Sequence, residues 1–153
     1  MSVSLVALAE RARNWLATLG HAVDLAIRLH VAHAFLLSGL TKISDWDTTM
    51  ALFRDEYHVP VLPPAVAAAL GTFGELVFPP LLALGLASRV SAACLSVVNL
   101  VAVVSYWGVL KDQEAALAQH FYWGLLLLVI LVHGPGRLSL DAWIWPRLWA
   151  KAA

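Results

Sequence analysis

Long apolar runs alternate along the chain with brief charged punctuation. A helix crossing hydrocarbon needs about 20 mostly apolar residues, and four stretches meet that length: residues 25–43, 61–87, 90–110 and 115–134. The first carries Arg28 near its start and Lys42 near its end, and the second is interrupted only by Glu75 and by Pro79-Pro80. The third and fourth lie in charge-free intervals, between Arg89 and Lys111 and between Glu114 and Arg137. This pattern predicts an all-α fold, a four-helix transmembrane bundle with short up-and-down connections. Ahead of it, Leu5, Leu8, Ala12, Trp15, Leu16 and Leu19 recur at helical spacing opposite Glu10, Arg11, Arg13 and Asn14. That spacing predicts a separate N-terminal amphipathic helix over residues 1–22, lying in the headgroup layer.

Composition agrees. The 153 residues are 61% hydrophobic and 13% charged, with a mean hydropathy of +0.77, against roughly 45–50% apolar and 25% charged in an average soluble domain. One membrane domain, residues 1–153, accounts for the whole chain, and the lipid bilayer is its first partner. Net charge is zero with no basic run, which argues against nucleic acid. Cys94 is the sole cysteine, so an internal disulfide, a CxxC redox pair and a multi-thiolate metal site are all excluded.

Sorting the charges orients the bundle. With four spans, the N-terminus, the turn at Arg89 and the C-terminus share a side, and they hold Arg11, Arg13, Arg28, Arg89, Arg137, Arg147 and Lys151. The other side holds Lys42, Arg54 and Lys111 among six acidic residues. The positive-inside rule then places both termini in the cytoplasm of a multi-pass protein of a bacterial inner membrane. Trp143, Trp145 and Trp149, with Arg147 and Lys151, read as a C-terminal interface anchor.

The punctuation within the spans forms a recognisable series: Arg28…Phe35-x-x-Ser38-Gly39-x-x-Lys42, then Gly74-Glu75…Pro79…Leu84-Gly85-Leu86-x-x-Arg89, then Gly134-Pro135-Gly136-x-x-Ser139-Leu140-Asp141. It resembles the DoxX family of small four-helix membrane proteins, from about residue 25 to 145. The resemblance implies association with membrane redox systems, which for DoxX-like proteins include quinone-linked thiosulfate oxidation and oxidative-stress complexes.

Glu75 is the residue around which a function can be built, since an ionised carboxylate in hydrocarbon must be neutral, paired or facing a hydrated cavity. Arg28, Phe35, Gly39 and Lys42 share one face of the first span, because steps of 7, 11 and 14 residues return within about 40°. Arg28 and Lys42 stand roughly 21 Å apart, too far for one carboxylate. Arg28 is the expected partner of Glu75, with Lys42 at the outer surface. Glu75 and Arg28 are therefore the candidate catalytic pair, whether as a proton-exchanging site or as a structural pair fixing helix register.

His30 and His33 share a face turned away from Arg28 by about 140° or more. With Asn99 in the third span and Thr72 beside Glu75, they are the candidate ligand-binding residues. Pro79 removes the hydrogen bond to the Glu75 carbonyl, which favours a small polar cavity there. No HxxxH or HExxH spacing occurs, and no metal is expected. Tyr106, Trp107, Phe121, Tyr122 and Trp123 gather at the outer ends of the third and fourth spans, as interface anchors or as an aromatic wall.

The sequence thus predicts a redox-associated membrane protein that binds a small lipophilic ligand, a quinone, in an intramembrane polar cavity. It would serve as a subunit of a quinone-linked oxidoreductase, with a redox partner protein or a second copy of itself. The alternative is a non-enzymatic transporter or assembly factor for a metal or small solute, using the same cavity.

Overall fold

The computed structural model describes residues 5–152, and among them every regular element is helical. The order is α1 (Leu5–Ser44), α2 (Trp46–Asp55), α3 (Pro64–Leu84), α4 (Ser88–Ser105), α5 (Trp107–Leu110), α6 (Glu114–His133) and α7 (Leu140–Ala152). Four of these, α1, α3, α4 and α6, are long and apolar enough to cross a membrane. The side chains of Trp149 and Lys151, expected to anchor the C-terminal end, lie outside the described residues.

The break expected after residue 22 is absent. Residues 21–25 contain neither proline nor a turn-forming pair, and Gly20 stays helical. The amphipathic segment and the first span are therefore one continuous rod of 40 residues, about 60 Å long at 1.5 Å per residue and twice the hydrocarbon thickness.

A short helix not anticipated from the pattern, α2, follows directly. Asp45 begins it by accepting from the Thr48 N–H at 3.0 Å and the Thr48 hydroxyl at 2.7 Å, an N-cap that satisfies donors the first turn leaves free. Those hydrogen bonds hold the Asp45 carboxyl below its ordinary range. Pro64 starts α3 at a position where its missing N–H costs nothing. Gly85 ends it in the left-handed region at φ 70°, with Leu86 N–H returning to Leu81 O at 2.9 Å and Gly85 N–H to Leu82 O at 3.0 Å. This is a Schellman closure, which L side chains rarely adopt at the Gly85 position.

Helix α3 packs against α1 on one side and α4 on the other, and α4 packs against α6. Val31, Phe35, Leu82, Leu95, Leu127 and Ile130 interdigitate in the core. Leu29, Leu37, Phe73, Leu100, Leu128 and Val132 are exposed on the outer surface, the apolar face a bilayer covers.

Where α7 meets the α3–α4 turn, polar groups tie the bundle together. Arg28, fully buried, donates to Leu82 O at 3.3 Å, Ala83 O at 3.1 Å and Leu138 O. Asp141 accepts from Ala87 N–H and Ser88 N–H, both at 2.8 Å, while its own N–H donates to Gly85 O at 2.8 Å. Thus Arg28 ties the last carbonyls of α3 to the segment before α7, and Asp141 caps the beginning of α4.

Candidate functional site

At the opposite end of the bundle, Glu75 of α3 meets Lys42 of α1. Lys42 Nζ lies 2.6 Å from Glu75 Oε2, donates to Ser38 Oγ at 2.8 Å, and Ser38 Oγ lies 3.3 Å from Glu75 Oε1. Ser38 and Lys42 are four residues apart and therefore share a helix face. Gly39 lets the two backbones meet there, since a Cβ at that position would stand 3.0 Å from the Glu75 carbonyl carbon and Cβ. Gly74 does the same toward α4, where a Cβ would meet Val98 Cγ2 at 3.0 Å. Glu75 is 7% exposed. The triad of carboxylate, ammonium and hydroxyl is thus held by close backbone contact rather than by long flexible reach.

The expected Glu75–Arg28 pair does not form. Helices α1 and α3 run in opposite directions, so Arg28, early in the packed part of α1, comes level with the last turn of α3, while Lys42 comes level with Glu75. Carbonyls at a helix end attract a guanidinium as a carboxylate would, and Arg28 gives its two terminal nitrogens to Leu82 O, Ala83 O and Leu138 O. Lys42, placed at the outer surface by the sequence, instead turns inward.

Beside the pair is a cavity of about 510 Å³, within the usual 300–1,000 Å³ of small-molecule sites. Lys42, Glu75 and Ser38 form its polar wall, and Phe35, Phe53 and Trp123 are among its apolar walls. Leu62, Leu70, Val97 and Val101 both line it and are exposed on the outside of the bundle, so its mouth lies toward lipid between α3 and α4. Tyr57, from the segment joining α2 to α3, closes the far end and stacks edge-on against Phe53 and Tyr106, each at 4.9 Å between ring centres. Burial, with Tyr106, Glu56 and Glu75 nearby, pushes the Tyr57 phenol above its ordinary value.

His120 completes the lining. Asn99, buried on α4, donates its amide to His120 O at 2.9 Å, and its Oδ1 lies 2.8 Å from His120 Nδ1.

Of the candidate catalytic and ligand-binding residues, only Glu75 lines the cavity directly, and of the aromatic group expected at the outer ends of the third and fourth spans, Tyr106 and Trp123 do. Asn99 stands behind His120. Thr72 is buried, and its hydroxyl has no hydrogen-bond partner among the described residues, but it does not line the cavity. His30 and His33 are exposed on the outer surface of α1, because the face opposite Arg28 points away from the bundle; neither reaches the cavity. His133 is exposed as well. Lys42, Ser38, His120 and Tyr57 were missed as site residues. The Ser38…Lys42 step beside a glycine was the available signal for the first two, while the Asn99–His120 pairing joins two helices and has no local signature. Among the described residues no three His, Cys, Asp or Glu side chains gather as a metal site would require.

The family model described as DoxX matches residues 23–107. No curated protein and no solved structure matches.

Proposed function

The chain belongs to the DoxX family, and from that premise and the Lys42–Glu75 cavity we propose that it binds a small lipophilic ligand, a quinone, as part of a membrane redox system. The observation that carries this reading is an apolar-walled cavity of about 510 Å³ with one ion pair on its wall. Apolar walls with a few convergent polar groups are the usual composition of a small-molecule site. A flat headgroup would lie against the apolar wall that Phe35, Phe53 and Trp123 contribute to, and a mouth between α3 and α4 would admit a molecule dissolved in lipid.

A bound quinone supplies two-electron, two-proton redox chemistry. Lys42 has three N–H donors and gives two to Glu75 and Ser38, leaving one for a ligand oxygen. Glu75 holds the ammonium in place and is the group able to exchange a proton. Arg28 has no part in this, being committed to the helix end. Electrons come from a partner protein or a soluble reductant, and the protein sits in a bacterial inner membrane with both termini cytoplasmic.

Mass spectrometry of the organic content of gently purified protein tests the reading. A quinone should accompany the wild type in near-stoichiometric amount and be depleted at least tenfold in Ala102→Phe, which fills the cavity, and in Lys42→Met. A wild type carrying no more quinone than Ala102→Phe overturns it, and solute flux in liposomes without redox turnover would favour transport instead.

A further inference from the structure

We infer that the cavity selects a hydroxyl-bearing form of its ligand, a hydroquinone over the quinone, with His120 Nε2 as the acceptor and Asn99 as the positioning residue that makes it one. The inference rests on the quinone reading and adds to it the redox form the site prefers.

The argument begins with the Asn99 amide. A backbone carbonyl can only accept, so the Asn99 atom 2.9 Å from His120 O is the NH₂, and the atom facing His120 Nδ1 at 2.8 Å is the carbonyl oxygen. An amide oxygen has no proton to give, so Nδ1 must carry one and donate. The neutral ring is thereby fixed in a single tautomer with its lone pair on Nε2. One asparagine holds both the backbone and the ring of the same residue, and Trp123 packs edge-on to that ring at 5.2 Å between centres. The lone pair therefore belongs to a rigid group in the wall of a cavity.

Two of the polar groups that line the cavity are consequently unlike. The Lys42 side offers a donor, and His120 Nε2 offers an acceptor. A quinone carries acceptors alone, so seating it would cover Nε2 and leave that lone pair unsatisfied, a substantial cost in a desolvated site. A hydroquinone answers both groups: one oxygen accepts from Lys42 and a hydroxyl on the other side of the ring donates to His120. Its hydroxyls are the feature the wall discriminates, which makes a ring with both hydroxyls methylated the right control for shape.

Calorimetric titration of the full-length protein in nanodiscs, under anaerobic conditions, tests this with three probes: a short-tailed benzohydroquinone, its dimethyl ether and the corresponding benzoquinone. The wild type should bind the hydroquinone about tenfold more tightly than either of the others, the scale expected for one unsatisfied buried acceptor. His120→Phe should bring that ratio to about one, with the ether bound more tightly than by the wild type because no acceptor is left covered and unsatisfied, a gain that general damage to the fold does not produce. Asn99→Leu should reduce the ratio with His120 still present. The ¹⁵N spectrum of the wild-type His120 ring should show Nδ1 protonated and Nε2 bare, and a bare Nδ1 overturns the inference whatever the variants do. Equal affinities in the wild type, or a preference that survives His120→Phe, overturn it while leaving the quinone reading intact. If none of the three probes binds the wild type, both fall.

Discussion

Lys42 and Glu75 each make sense only in the presence of the other. Removing one member of a buried ion pair leaves an unpaired charge, at a typical cost of about 3 kcal/mol, whereas replacing both with apolar groups is often neutral. Lys42→Met and Glu75→Leu should each lower the thermal midpoint in detergent, and the double variant should recover most of the loss. A double variant as unstable as the sum of the singles would show that the two groups do not interact. Gly39 imposes a second condition on the pair. Its missing Cβ is the gap through which α1 reaches the Glu75 backbone, and Gly39→Ala should cost about 1–3 kcal/mol by forcing the helices apart. That Glu75 is central was readable from the chain, because a lone carboxylate in an apolar run has few ways to exist. Which cation it meets was not. Arg28 and Lys42 lie on the same face of one helix, and only the register between α1 and α3 decides between them.

The connections between elements carry their own requirements. Asp141 caps α4 from a distant part of the chain, accepting two N–H groups of its first turn. Asp141→Ala should therefore destabilise the protein by about 2 kcal/mol, and hydrogen exchange should show the loss first at Ala87 and Ser88. The segment between α2 and α3 depends on a neutral Tyr57. Its pKa is raised above that of an unfolded tyrosine, chiefly by burial. Its contribution is therefore complete below the ordinary tyrosine value of about 10 and is lost as pH rises through the folded value. Thermal midpoints followed upward from pH 9 should fall more steeply for the wild type than for Tyr57→Phe. The four apolar spans were legible because length and charge-free intervals are properties of the sequence itself, whereas α2 was hidden because ten residues of mixed polarity between two spans look like a loop until Asp45 is seen to cap them. The rod α1 was divided by the sequence at a change of composition, but nothing there interrupts backbone hydrogen bonding, and helices end where hydrogen bonding ends.

For the whole molecule, the asymmetry of basic residues between its two ends implies an orientation. In a Cys94→Ala background, single cysteines at Asp47 and Asp112 should react with an impermeant thiol reagent applied to intact cells, and one at Arg89 should not. Labelling at Arg89 from outside would invert the topology. One end is bolted: Arg28 holds the foot of α3 and Asp141 holds the turn beyond it. Pro79 and Pro80 lie just above that anchorage, inside the helix, and lacking N–H groups they leave the carbonyls of Glu75 and Leu76 without their usual rungs. Helix α3 is therefore a rod notched between two clamps, the Arg28 anchorage at its foot and the Lys42–Glu75 and Gly39 contacts above the prolines.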